Sequence, residues 1–212
     1  SEIDSANYRV IGDFRQGDWK GWYTTGWAFG EKPLMGAPVF DKPSRRVSGL
    51  VGGIASSRYF TSGVMGVLRS PNFIVEHDSI AIRAAGINGT IQIIADNFQI
   101  IQRPLYGNLE KKLNNQLWET YTFDLSLLQG HKAYLEFMPG LYGEIKPPWE
   151  YEGLRHIYGI KPEDYIEVQY AVAFNGELPD LPFPGLDDHY DFSMKAKTQS
   201  ISDWKNNQAN IE

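Results

Sequence analysis

The chain has 212 residues, a formal net charge of −6 and no cysteine. Zero cysteine excludes a disulfide framework, a thiolate metal site and a cysteine nucleophile. The acidic balance, with Lys and Arg scattered rather than clustered, argues against nucleic acid as a partner, because phosphate neutralisation needs grouped cations. No apolar run approaches the length of a membrane span, so membrane insertion is not expected.

The first predicted element is a strand over 8–14 (YRVIGDF). Residues 15–30 are dense in glycine and tryptophan and read as turn-rich. Residues 31–48, with three prolines, read as loop. Two strand candidates follow within 49–69, GLVGGIASS and SGVMGVLRS, parted by a short turn over 58–61. Glycines inside them suggest bulges or close backbone approach.

From Gly66 to Gly107 apolar residues recur at alternate positions. Phe73 and Val75 share one face; Ile80, Ile82 and Ala84 share another; Ile91, Ile93 and Ala95 follow, then Phe98 and Ile100. Ser70-Pro71, His77-Asp78, Asn88-Gly89 and Asp96-Asn97 punctuate the runs. Period two between turns predicts antiparallel strands stacked into a sandwich or barrel.

Residues 108–116 form a polar connection with room for a helical turn. Two further strands are predicted at Trp118–Asp124 and Lys132–Phe137, with a turn over Leu125–Gln129 between them. Residues 138–164 are irregular and rich in Pro, Gly, Trp, Tyr and His, and Tyr165–Phe174 alternates as a last strand. The fold class is therefore all-β: an antiparallel β-sandwich over 1–178 with a long irregular insertion, 139–162, before its last strand. Residues 179–212 read as a proline-containing linker and a polar tail.

Aromatic side chains in loops are the first candidates for function. Trp19, Trp22, Tyr23, Trp27 and Phe29 fall within eleven residues. Indole and phenol rings stack on the apolar faces of sugar rings while nearby amides and carboxylates hold hydroxyls. The same rings could instead close one end of the sandwich. Trp149, Tyr151, Arg155 and His156 sit in the insertion, where they would face a ligand or a neighbouring domain. Asp96, Asn97, Gln99 and Arg103 lie on or beside a strand; Asp and Asn there would hold hydroxyls or shape a turn. The candidate ligand-binding set is thus Trp22, Tyr23, Trp27, Asp96, Asn97, Gln99, Arg103, Trp149, Tyr151, Arg155 and His156.

Catalysis finds little support. His77, His131, His156 and His189 form no metal-binding pair at helical spacing, and no G-x-S-x-G elbow occurs. Three strand carboxylates, Glu119, Glu136 and Glu167, could converge as a glycosidase pair only if tertiary structure brought two together. The expectation is a protein that is not an enzyme.

The segments DFRQGDWKGWYTTGWAFG, LRSPNF and ADNFQIIQRPLYG, with GHKAYLEF after them, resemble a β-sandwich domain of planctomycete-type surface or periplasmic proteins that also carry a cytochrome-c-like domain. The resemblance extends to galactose-binding-like jelly rolls appended to glycoside hydrolases. It rests on Gly66, Leu68, Ser70, Pro71, Phe73 and Val75, then Ile80 and Gly86. It implies a non-catalytic carbohydrate-binding or accessory module of a larger exported protein, secreted, periplasmic or at the cell surface. Its implied partners are a polysaccharide or oligosaccharide and the other domains of the parent. Two departures stand out: the inserted 139–162 segment, and Tyr165–Val168 in place of the usual G-W-I-x-V-D-E-I run. No cofactor is implied, although jelly rolls of this kind often hold a structural calcium, for which Asp13, Asp18, Glu31, Glu136 and Glu167 would be oxygen donors.

Overall fold

The computed structural model describes residues 7–41, 46–97, 107–140, 160–179 and 181, and within 37–51 the backbone alone. Among the described residues eleven strands run in chain order: β1 (Tyr8–Asp13), β2 (Tyr23–Gly26), β3 (Ala37–Asp41), β4 (Arg46–Val51), β5 (Ala55–Ser56), β6 (Gly66–Arg69), β7 (Phe73–Ile74), β8 (Ser79–Ala95), β9 (Glu110–Asp124), β10 (Lys132–Pro139) and β11 (Tyr165–Phe174). Among the described residues the only helical pieces are two short 3-10 turns, Gly107–Leu109 and Ser126–Leu128. The all-β expectation holds, and Tyr165–Phe174 forms its strand at the predicted bounds.

Residues 1–34 and 53–181 make one compact unit; 35–52 and 182–212 belong to a second. In the second unit the described backbone is the β3–β4 hairpin, with a register shift between Val39 and Phe40; β3 and the start of β4 lie where the sequence predicted loop, and Gly49–Val51 lie in a predicted strand. The first unit contains a nine-stranded antiparallel sheet ordered β1-β11-β8-β10-β6-β2, with β5, β7 and β9 paired alongside. This sheet curls over, so that its two halves face each other as a jelly-roll β-sandwich.

The curl depends on β8, which runs unbroken for 17 residues where a turn at Asn88-Gly89 was predicted. Along one edge its first part pairs with β11, from Ser79 to Ile87, and its second part with β10, from Gly89 to Ala95. β9 follows its other edge. Ile80, Ile82 and Ala84 and then Ile91 and Ile93 all reach the same core. A strict two-residue period would put even and odd positions on opposite faces. The parity changes across 85–89, where the pairing with β9 shifts register twice.

Asn88 adopts φ +50° at this bend. Its amide donates to Asn114 Oδ1 at 3.0 Å, its side-chain Nδ2 donates to Asp164 Oδ2 at 2.9 Å, and its carbonyl accepts from Gly140 N at 2.8 Å. Asn tolerates the left-handed region, so a sequence signal for a hairpin turn serves here as a bend.

The first half of the sandwich (β1, β11 and the start of β8) contributes Ile80, Ile82, Ile166, Val168 and Ala171 to the core. The second half (β2, β6, β10 and the end of β8) contributes Leu68, Leu135, Phe137, Ile91 and Ile93. Alternation then aims Tyr134, Glu136 and Met138 of β10 away from this core, onto the other face of the second half, where Tyr134 and Met138 are also buried and Glu136 is half-buried.

Candidate functional site

β2 shows how alternation sorts two adjacent rings. Trp22, just before the strand, is 5% exposed and belongs to the core; Tyr23 beside it is 46% exposed. The Trp22 ring stacks on Phe137 at 5.2 Å and meets Phe14 edge-on at 5.3 Å, and its Nε1 donates to the Ile11 carbonyl at 3.1 Å. With its ring packed against Phe137 and Phe14, its donor occupied and 5% of its surface exposed, Trp22 has almost no surface to offer a ligand. Its proposed binding role is corrected to a core role, and the same holds for Phe29, which is also buried. A strand residue's neighbour points to the other side, so Tyr23 turns outward.

Tyr23 begins a row that crosses the outer face of the second half. It lies opposite Arg69 on β6, Arg69 opposite Glu136 on β10, Glu136 opposite Gln92 on β8, and Gln92 opposite Glu110 on β9. Opposed residues in antiparallel pairs sit on one face with Cβ atoms about 4.5–5.5 Å apart, so the five side chains form a continuous strip. The Arg69 guanidinium lies 3.5 Å from the Tyr134 ring centroid and 5.5 Å from that of Tyr23, spanning the two rings by cation–π contact.

The strip's polar groups are unevenly satisfied. Gln92 Nε2 donates to Glu110 Oε2 at 2.9 Å, and Lys112 Nζ approaches Glu110 Oε1 at 4.0 Å. Arg69 Nε, in contrast, is a buried donor with no acceptor. Burial pushes the Glu136 carboxyl above the usual carboxylate range, and the positive charge of Arg69 offsets this only in part. Among the described residues no hydrogen bond reaches Glu136. An exposed ring, an unused guanidinium donor and an under-solvated carboxylate therefore stand in line. A partner carrying hydroxyls can accept from Arg69 and donate to Glu136 while its apolar face lies on Tyr23.

Trp27 lies just past the end of β2 and is 77% exposed. Its amide donates to the Met65 carbonyl at 2.9 Å, and the Ala28 amide shares that acceptor at 3.2 Å, so the turn is pinned to the start of β6. Exposed Phe60 belongs to the same corner: its ring meets Tyr59 edge-on at 5.0 Å, and the Tyr59 amide donates to the Ala28 carbonyl at 3.4 Å.

Asp96 and Asn97 lie at the other end. Both have left-handed backbones, φ +49° and +63°. The Asp96 carboxylate already engages His131 Nδ1 at 2.5 Å and accepts from Lys132 N at 3.3 Å. The His131 hydrogen bond, the largest cause, holds the Asp96 carboxyl below its usual range. Four strand residues separate Asp96 from Gln92 and four separate Trp27 from Tyr23, in opposite directions along the strands, about 13 Å each way. The structure thus joins Tyr23 to the strip and places Trp27 and the Asp96-Asn97 turn at opposite ends. Gln99, Arg103, Trp149, Tyr151, Arg155 and His156 lie outside the described residues.

The carboxylates considered for catalysis or calcium do not converge. Glu136 projects from the second half. Glu167, flanked by core residues Ile166 and Val168, projects from the first, where Arg58 Nη2 and Ser56 Oγ donate to its Oε1 at 2.7 Å and 3.1 Å. Glu119 sits on β9, bonded by Asn115 and Tyr121. Two outer faces of one sandwich lie on opposite sides of a core about 10 Å thick, so Glu136 and Glu167 cannot flank one glycosidic bond. Asp13 is paired with Arg15, whose side-chain hydrogen bond lowers the Asp13 carboxyl. Among the described residues no three acids or histidines cluster as a metal site.

Sequence reasoning considered Glu136 only as a calcium or catalytic donor and passed over Arg69, Gln92, Glu110 and Tyr134. The signal was present in LEFM and its neighbours, where Tyr134 and Glu136 interrupt apolar Leu135 and Phe137 at the alternate positions. What lacked a signal was the register that aligns five strands.

No family model matches the chain, and no curated protein matches it in sequence. Solved structures resemble it at low identity. One is a cleaved adhesin domain of Lys-gingipain from Porphyromonas gingivalis W83 (14% identity, 80% of this chain and 98% of that one, TM-score 0.45). Another is TmCBM61 in complex with beta-1,4-galactotriose (12% identity, 78% and 99%, TM-score 0.41). A third is a family 29 carbohydrate-binding module (12% identity, 82% and 99%, TM-score 0.39). At these values the reading of function rests on this chain's own residues. Among the described residues no helix is long and apolar enough to cross a membrane.

Proposed function

We propose that this protein is a non-catalytic carbohydrate-binding module, and that its site is the Tyr23–Arg69–Glu136–Gln92–Glu110 strip on the outer face of the second half. The observation that carries the reading is the half-exposed Tyr23 ring in register with the Arg69 guanidinium and, beyond it, Glu136. Exported, accessory status within a larger protein is part of the same proposal, supported by the sequence resemblance. The test is a glycan array on the intact chain, followed by calorimetry with Tyr23→Ala. Binding lost in Tyr23→Ala at unchanged melting temperature supports the site; full binding in that variant removes it.

A second reading has its own observation. Trp27 and Phe60 are 77% and 69% exposed, and Met65 is exposed beside them. A ring-rich corner of this kind also suits contact with another protein domain. An array without any hit, together with Trp27→Ala abolishing association with the parent's other domains, favours this interaction role.

A further inference from the structure

Resting on the carbohydrate reading of the strip, we infer that its ligand class is a neutral glycan offering a vicinal hydroxyl pair to Arg69 and Glu136, and that the strip rejects uronates and sulfated sugars. The first ground is charge balance along the outer face. Arg69 faces Glu136 across the β6–β10 pair. Lys112 approaches Glu110, which also accepts from Gln92. Among the described residues of the row, two cations thus stand with two carboxylates, Arg69 facing Glu136 and Lys112 beside Glu110.

The second ground is the state of Glu136. Its carboxyl lies on a half-buried face, so a further negative charge set beside it is weakly screened. A uronate could reach Arg69 only as a close neighbour of Glu136, and like charges in such a site disfavour binding. A hydroxyl carries no such penalty: one hydroxyl oxygen accepts from the outer end of the Arg69 guanidinium and its neighbour donates to Glu136. Two adjacent hydroxyls on one pyranose match two polar groups on adjacent strands, whose spacing is about 4.8 Å. Tyr23, exposed at the end of the row, supplies the apolar surface against the sugar face.

The test uses the intact chain and matched oligomers: β-1,4-linked galactose and glucose oligomers, and the same oligomers oxidised at C6 to uronates. Calorimetry on the wild type should show the neutral oligomer of at least one pair binding about tenfold or more tighter than its uronate, since each factor of ten corresponds to about 1.4 kcal/mol. Glu136→Gln, which keeps shape and removes charge, should narrow that gap to about twofold, with its melting curve checked for folding. A uronate that binds the wild type as well as its neutral counterpart overturns the inference, and so does a gap that Glu136→Gln leaves unchanged. The wild-type ratio stands even if the variant fails to fold. Binding confined to acidic glycans defeats this inference and leaves the carbohydrate reading intact. A full array without a hit of either charge defeats the carbohydrate reading itself.

Discussion

Adjacent Trp22 and Tyr23 should respond to truncation in opposite ways, one in stability and one in binding. Trp22 is almost wholly buried against Phe14 and Phe137. Removing a ring of this size gives up about 200 Å² of buried apolar surface, or about 5 kcal/mol at 25 cal/mol per Å². Measured Trp→Ala costs in cores, about 3–5 kcal/mol, agree. Loss of the Nε1 donor leaves the Ile11 carbonyl short of one bond, adding about 1 kcal/mol. Trp22→Ala should therefore lose about 4–6 kcal/mol, which for a domain of this size lowers Tm by about 10–20 °C. Tyr23→Ala, on the outer face, should cost about 1 kcal/mol or less. Chemical denaturation followed by circular dichroism and fluorescence measures both. A Trp22→Ala protein melting within about 2 °C of wild type would refute the core assignment, because a cavity of that size cannot be neutral. A Tyr23→Ala protein that loses as much as Trp22→Ala would refute the alternation argument for the strip.

Three further outcomes follow from particular geometry. Gly26 has φ +74°, and a Cβ there would lie 2.6 Å from the Met65 carbonyl oxygen, so Gly26→Ala should destabilise by about 1–3 kcal/mol in denaturant titration. Glu136 has a folded pKa raised by burial, with Arg69 opposing; the folded state then holds its proton longer, and this carboxyl's contribution to stability falls as pH rises from the unfolded value through the folded one. Glu136→Gln should accordingly raise Tm at neutral pH and match wild type at pH values below both. Tyr121 is pushed up to about 12 by burial first and by Glu119 second. Ultraviolet titration should find a phenol ionising near that value, which Glu119→Gln brings down, and stability should fall between the ordinary tyrosine range and about 12.

The fold class was legible in the sequence because alternation is local. Phe73 with Val75, Ile80 with Ile82 and Ile166 with Val168 announce their inward face within a few residues. β2 was missed because four residues among glycines and tryptophans carry too short a period to read. The Asn88-Gly89 pair was readable as a point of positive φ, but not as a bend rather than a hairpin. That outcome rests on Asn114, Asp164 and Gly140, which only the folded chain brings to Asn88.

The site divides in the same way. The abundance of rings near 19–29 and the turn preference of Asp96 and Asn97 are plain from the residues alone. Tertiary structure decided which rings remain outside: Trp22 fits between Phe14 and Phe137, and its neighbour Tyr23 must then face outward. Tertiary structure also assembled the strip, since Tyr23, Arg69, Glu136, Gln92 and Glu110 come from five strands and meet only through register. Local periodicity fixes which side of a strand a residue takes. The residue opposite it depends on long-range pairing, which no short stretch of sequence encodes.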